Sequence, residues 1–123
     1  MENVKTATIS CNIVDDNKEK PGSFNVHLFH EGNLIYERDH WGLNEDWDDG
    51  TTHSTTTINL SHRNVPAHGT YVLNVQIDSG DNMDVNADWS VKILTTNSEV
   101  LQSDPYQYKF EKDVREFETS YTL

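Results

Sequence analysis

Tyr71-Val72-Leu73-Asn74-Val75-Gln76-Ile77-Asp78 decides the fold. Tyr71, Leu73, Val75 and Ile77 alternate with Val72, Asn74, Gln76 and Asp78, so one side of an extended chain is wholly apolar. A period of two is the period of a β-strand with one buried face. The pattern recurs in both directions. Downstream, Trp89, Val91 and Ile93 alternate with Ser90 and Lys92, and Tyr106, Tyr108 and Phe110 mark a further strand. Upstream, Ala7, Ile9, Cys11 and Ile13 alternate with Thr8, Ser10 and Asn12; Phe24, Val26 and Leu28 alternate with Asn25, His27 and Phe29.

Glu31-Gly32-Asn33 is a hairpin turn signal, and 34–38 is its return strand. The β-branched run 55–60 is another strand. Residues 15–22, 39–52 and 61–69 read as loops, the last holding Pro66. The tail 114–123 reads as a last edge strand or a short helical turn.

Strands of five to eight residues, with no convincing helical period, predict an all-β chain. The expected fold is an antiparallel β-sandwich of about 7–8 strands with jelly-roll or Greek-key connectivity. Its core is expected to hold Phe24, Val26, Leu28, Ile58, Leu60, Tyr71, Leu73, Val75, Ile77, Trp89, Val91 and Ile93. The 123 residues suit one domain spanning 1–123.

The chain carries 21 acids against 9 bases, a net charge of −12. Such a surface repels phosphate backbones, which argues against nucleic acid as a partner. The one cysteine, Cys11, excludes an internal disulfide and is expected to be a small buried strand residue. No apolar run approaches the ~18 residues of a membrane span. Met1-Glu2-Asn3-Val4-Lys5 has no signal pattern, so the expected location is cytoplasmic, or secreted with a signal removed.

Two acidic windows carry the chemistry. Asn44-Glu45-Asp46-Trp47-Asp48-Asp49-Gly50 and the stretch 78–89 together hold eight of the 21 acids. Each contains oxygen donors at i, i+2 and i+4: Asn44, Asp46 and Asp48 in one, Asp84, Asn86 and Asp88 in the other. In a looped backbone, that spacing turns three side-chain oxygens toward one point, which suits calcium. The candidate ligands are Asp78, Asp81, Asp84, Asn86, Asp88, Asn44, Asp46, Asp48 and Asp49. Neither window is an EF-hand, which needs glycine sixth and glutamate twelfth. Counted from Asp84 those positions are Trp89 and Thr95, and from Asn44 they are Asp49 and Thr55. The plain alternative is ordinary turn composition, since Asp, Asn and Gly are the residues of β-turns.

Trp41 and Trp47 lie in polar sequence beside carboxylates and glycines. An exposed indole there would stack on a sugar ring or anchor a protein surface, and His40 joins them as a candidate contact. The alternative is that one or both indoles fold back to cap an open sandwich end. The six histidines show no HxH or HExxH spacing, which leaves zinc little support.

Nucleophile elbows, P-loops and dinucleotide fingerprints are missing, so no enzyme is expected. The leading expectation is a non-catalytic, calcium-dependent module that binds carbohydrate or a protein surface. A structural or self-assembling sandwich, homo-oligomeric through its edge strands, is the second reading. A small hydrolase using carboxylate or histidine chemistry is the third.

Overall fold

The structure, a computed structural model, describes residues 2–15, 23–42, 53–79, 85–110 and 115–123. Among the described residues nine strands follow one another: β1 Val4–Asp15, β2 Ser23–His30, β3 Asn33–Gly42, β4 His53–Asn59, β5 Thr70–Ser79, β6 Val85–Thr95, β7 Val100–Gln102, β8 Tyr106–Phe110 and β9 Glu116–Thr122. The described residues contain no helix, and therefore none long and apolar enough to cross a membrane.

The strands form two antiparallel sheets. One has the order β4-β1-β6, with β7 and β8 sharing the far edge of β6; the other has the order β3-β2-β5-β9. After β2 and β3 are laid down as a hairpin on the second sheet, the chain returns to place β4 beside β1. These pairings establish an antiparallel sandwich and not, by themselves, a jelly roll.

The alternation read from the sequence is the alternation observed. Tyr71, Leu73, Val75 and Ile77 of β5 face inward, as do Ala7, Ile9 and Cys11 of β1, Phe24, Val26 and Leu28 of β2, and Trp89, Val91 and Ile93 of β6. Each Val, Leu, Ile or Phe among them contributes roughly 1.5–3 kcal/mol of gross burial energy. Ile58 is only partly buried, packed against the core from edge strand β4. The tail is the edge strand β9, paired with β5 from Thr70↔Thr122 to Gln76↔Glu116.

Three features escaped the sequence. The three-residue β7 is one; with β8 it makes a single interrupted edge strand. At the break, Ser103 N donates to Val91 O at 2.9 Å while Ser103 Oγ accepts from Val91 N at 2.8 Å, so β6 keeps its ladder.

The second is the length of β3, which runs on to Gly42 instead of stopping at Arg38. Between the pairs Phe24↔Trp41 and Val26↔Arg38 the register shifts, because β3 holds one residue more than β2. This is a β-bulge. His40 takes the left-handed conformation there, φ 55°, and its amide donates to Asn25 Oδ1 at 3.0 Å. A bulge reverses which side chains face inward, so Trp41 points into the sandwich beyond it.

The third is the extent of β6, which begins at Val85 and leaves only residues 80–84 between it and β5.

Most of the aromatic core clusters around Trp89. Phe24 and Phe117 pack edge-on against it at 5.4 and 5.6 Å, and Trp41 at 6.2 Å. Phe110 lies 5.5 Å from Phe24. Two buried polar atoms, Ser54 Oγ and Trp89 Nε1, have no hydrogen-bond partner among the described residues. Each costs about 1–3 kcal/mol.

Candidate functional site

Strand register answers where the acidic segments attach. In the second sheet Ser23 is opposite both Gly42 and Ser79, so the start of β2 and the ends of β3 and β5 lie level. Ile77 N donates to Arg115 O at 2.8 Å, which brings the start of β9 to the same level. In the first sheet Asn12 is opposite both His53 and Asp88, and Val85 is opposite Phe110. The end of β1, the starts of β4 and β6 and the end of β8 are therefore also level. The aromatic contacts from Phe24, Trp41 and Phe117 to Trp89 join these two ends across the core.

The strand ends that flank residues 16–22, 43–52, 80–84 and 111–114 thus lie at one end of the sandwich. Those four segments carry Asp16, Glu19, Glu45, Asp46, Asp48, Asp49, Asp81, Asp84, Glu111 and Asp113 against Lys18, Lys20 and Lys112. Ten of the chain's 21 acids thus fall, in sequence, between those strand ends. The sequence offered no way to tell whether the 44–49 and 78–88 windows share an end. The strand ends that bracket them do.

The candidate ligands divide by position. Asn44, Asp46, Asp48, Asp49, Asp81, Asp84 and Trp47 lie outside the described residues. Asp78 is the penultimate residue of β5. Asn86 and Asp88 were expected in a loop, and that expectation is corrected: both are in β6. Asn86 is opposite Asp15 and Lys109, and accepts from Gln107 Nε2 at 3.1 Å; Asp88 is opposite Asn12 and Gln107. Strand pairing on both edges holds this segment extended. Neighbours at i, i+2 on a strand are ~6.6 Å apart along the chain. Asn86 and Asp88 therefore share one face of an extended strand and are not curled toward one another; Asp84, the third member of the triplet, lies outside the described residues.

Trp41 is also corrected. Its exposure is 0%, so it offers no ring face to a ligand. The bulge at His40 is the physical reason, and the capping alternative describes Trp41 better. Arg38 lies over its ring at 5.8 Å and reaches Thr56 Oγ1 of β4 at 2.9 Å, tying the two edge strands across the sheets. His40 is exposed on the bulge.

Burial pushes the Cys11 thiol well up, and the nearby Asp88 carboxylate adds to it. A thiol held neutral is a poor nucleophile and a poor ligand at neutral pH. Of the histidines, His27 faces outward beside Glu37 at 3.6 Å, whereas His30 is buried and its Nε2 donates to His68 O at 3.0 Å. Two groups of side chains away from the acidic loops bring three ligand atoms close together: His27, Glu37 and Asp39 on the outer face of the β2–β3 hairpin, and Glu2, His68 and Glu99 at the opposite end of the sandwich. Neither group was singled out from the sequence, because its members are far apart in the chain or spaced as ordinary strand residues.

No family model, no curated protein and no solved structure matches this chain.

Proposed function

We propose that the chain is a non-catalytic binding module whose acidic loop end takes calcium and, with it, a carbohydrate or protein surface. What supports this reading is that the strand ends flanking four acid-rich segments lie level at one end of the sandwich. Carboxylates gathered at one end repel one another, and a divalent cation relieves that repulsion. Calcium suits the donor set, because it takes six to eight oxygens from side chains, carbonyls and water at ~2.3–2.6 Å in flexible geometry. With Trp41 in the core, Trp47 and His40 remain as the contacts for the ligand itself.

Melting curves with calcium, magnesium and chelator test it. Binding to the folded state alone adds about 2.7 kcal/mol at a hundredfold excess over Kd. For a domain of this size that raises Tm by on the order of 10 °C. Magnesium does less, because it keeps its waters and demands a stricter octahedron. Three superimposable curves would reject the calcium site.

One observation favours a second reading, self-association through β4. The strand His-Ser-Thr-Thr-Thr-Ile-Asn has no charge, proline or bulge, and among the described residues it pairs only with β1. Edge strands of that kind are templates for pairing with another chain. Sedimentation of the wild type and of Thr57→Lys separates the readings: a charge on that edge disperses a β4-mediated dimer and leaves a calcium-dependent monomer unchanged.

A further inference from the structure

Glu2, His68 and Glu99 come from the N-terminal segment, the β4–β5 crossing and the β6–β7 turn, and one donor atom from each lies within 4.8 Å of the others. Backbone hydrogen bonds hold the three segments together. Glu2 O accepts from Ala67 N at 3.1 Å, beside His68, and Val4 N donates to Val65 O at 2.7 Å. Asn3 O accepts from Thr96 N at 2.8 Å, and Thr95 N donates to Glu99 O at 2.8 Å. The cluster therefore stands on sheet-like backbone, and its members need no large rearrangement to act together.

The side chains are aimed as well as gathered. Thr95 is wholly buried and its hydroxyl donates to Glu2 Oε1 at 2.6 Å, which turns Glu2 Oε2 toward His68 Nε2 at 3.3 Å. Bonds of about 2.0–2.1 Å in a tetrahedral zinc site separate neighbouring donor atoms by about 3.3–3.4 Å. The Glu2 Oε2–His68 Nε2 contact is a hydrogen bond of that same length, so zinc would replace the proton between the two atoms with little movement of either. A hydroxyl that fixes a ligand's spare oxygen is the usual support behind a metal ligand.

We propose that Glu2, His68 and Glu99 bind a zinc ion, with water completing the shell, and that this ion clasps the N-terminal segment to the end of the sandwich opposite the acidic loops. A mixed set of one imidazole and two carboxylates favours zinc and its first-row neighbours over calcium and magnesium, which prefer oxygen throughout. A cation held among the three donors would offset the repulsion between the two carboxylates.

The test is zinc titration by calorimetry and thermal melting of the whole chain, with His68→Ala, Glu99→Gln and His27→Ala. His68 and Glu99 are exposed, so their replacement leaves the core untouched. Zinc is expected to raise Tm in the wild type and in His27→Ala. The expected affinity loss in His68→Ala and Glu99→Gln is at least about tenfold. The calcium response should be the same in all four proteins, which keeps this site distinguishable from the loop end. Zinc binding of equal strength in the wild type and His68→Ala, loss of the response in His27→Ala, or no zinc response at all would overturn it.

Discussion

Trp41 and Trp89 meet edge to face across the two sheets, with ring centroids 6.2 Å apart and planes at 78°. The contact places an indole from edge strand β3 against the centre of the opposite sheet, directly beneath the end where the acidic connections attach. Such pairs add ~0.5–1.5 kcal/mol beyond the area they bury. Trp41→Ala should therefore cost about 3–5 kcal/mol, as large aromatic deletions in cores do. Trp41→Phe should cost clearly less. Urea unfolding of the two variants measures both, and a Trp41→Ala protein as stable as wild type would show that the indole is not a core residue.

The bulge that turns Trp41 inward rests on Asn25, whose Oδ1 accepts the His40 amide at 3.0 Å. Asn25→Ala removes that acceptor and should destabilise the fold by about 1–2 kcal/mol. Asn25→Asp keeps an acceptor at the same place and should retain most of the stability. Thermal melts at neutral pH compare them.

Alkaline pH should loosen the sandwich through Tyr71 and Tyr121. Burial pushes both phenols up to about 12. The Tyr71 hydroxyl donates to Ala67 O, and Tyr121 donates to Trp89 O at 2.8 Å. In the unfolded chain a tyrosine ionises near ~10. The folded state thus holds its protons longer than the unfolded state, so this contribution is complete below pH ~10 and is lost as pH rises toward about 12. Denaturation midpoints collected across that window should fall, and Tyr71→Phe with Tyr121→Phe should flatten the decline.

Gly69 sits at φ +144°, where an added Cβ would come within 2.6 Å of Glu31 Oε1 and 2.8 Å of His30 Nε2. Glu31 Oε1 also accepts from Thr70 N at 2.8 Å, and His30 Nε2 holds His68 O. Gly69→Ala should disturb both contacts and add backbone strain, for a loss on the order of 1–3 kcal/mol. Gly32, in the β2–β3 turn at φ +81°, has nothing within 4 Å of such a Cβ, so Gly32→Ala should cost only the left-handed backbone penalty of about 1–2 kcal/mol, with no steric clash added. Equal melting temperatures for the two variants would contradict this ranking.

Asp84 is the residue of the second acidic window on which the calcium reading now leans most, since Asn86 and Asp88 are strand residues. Asp84→Asn should reduce the calcium-induced rise in Tm by at least half. Glu118→Gln, on edge strand β9, should leave it intact. Parallel melts with and without calcium decide between them.

The sequence by itself determined the class of fold and most of its core. Alternation in β1, β2, β5 and β6 is a local property: one face buried and one face wet writes a period of two into the chain, and that period survives until the register slips. It failed at Trp41, where one extra residue in β3 reversed the phase. Nothing in Asp39-His40-Trp41-Gly42 marks the bulge, because its cap comes from Asn25 on the neighbouring strand. It failed again at Asn86 and Asp88, whose loop-like composition is overruled by pairing with β1 and β8. Only the tertiary structure decided that both acidic windows attach at one end, because that depends on which strands lie level across two sheets. It alone brought Glu2, His68 and Glu99 together, from segments up to 97 positions apart. Contacts of that range are made by the packing of whole strands, and no spacing within one segment encodes them.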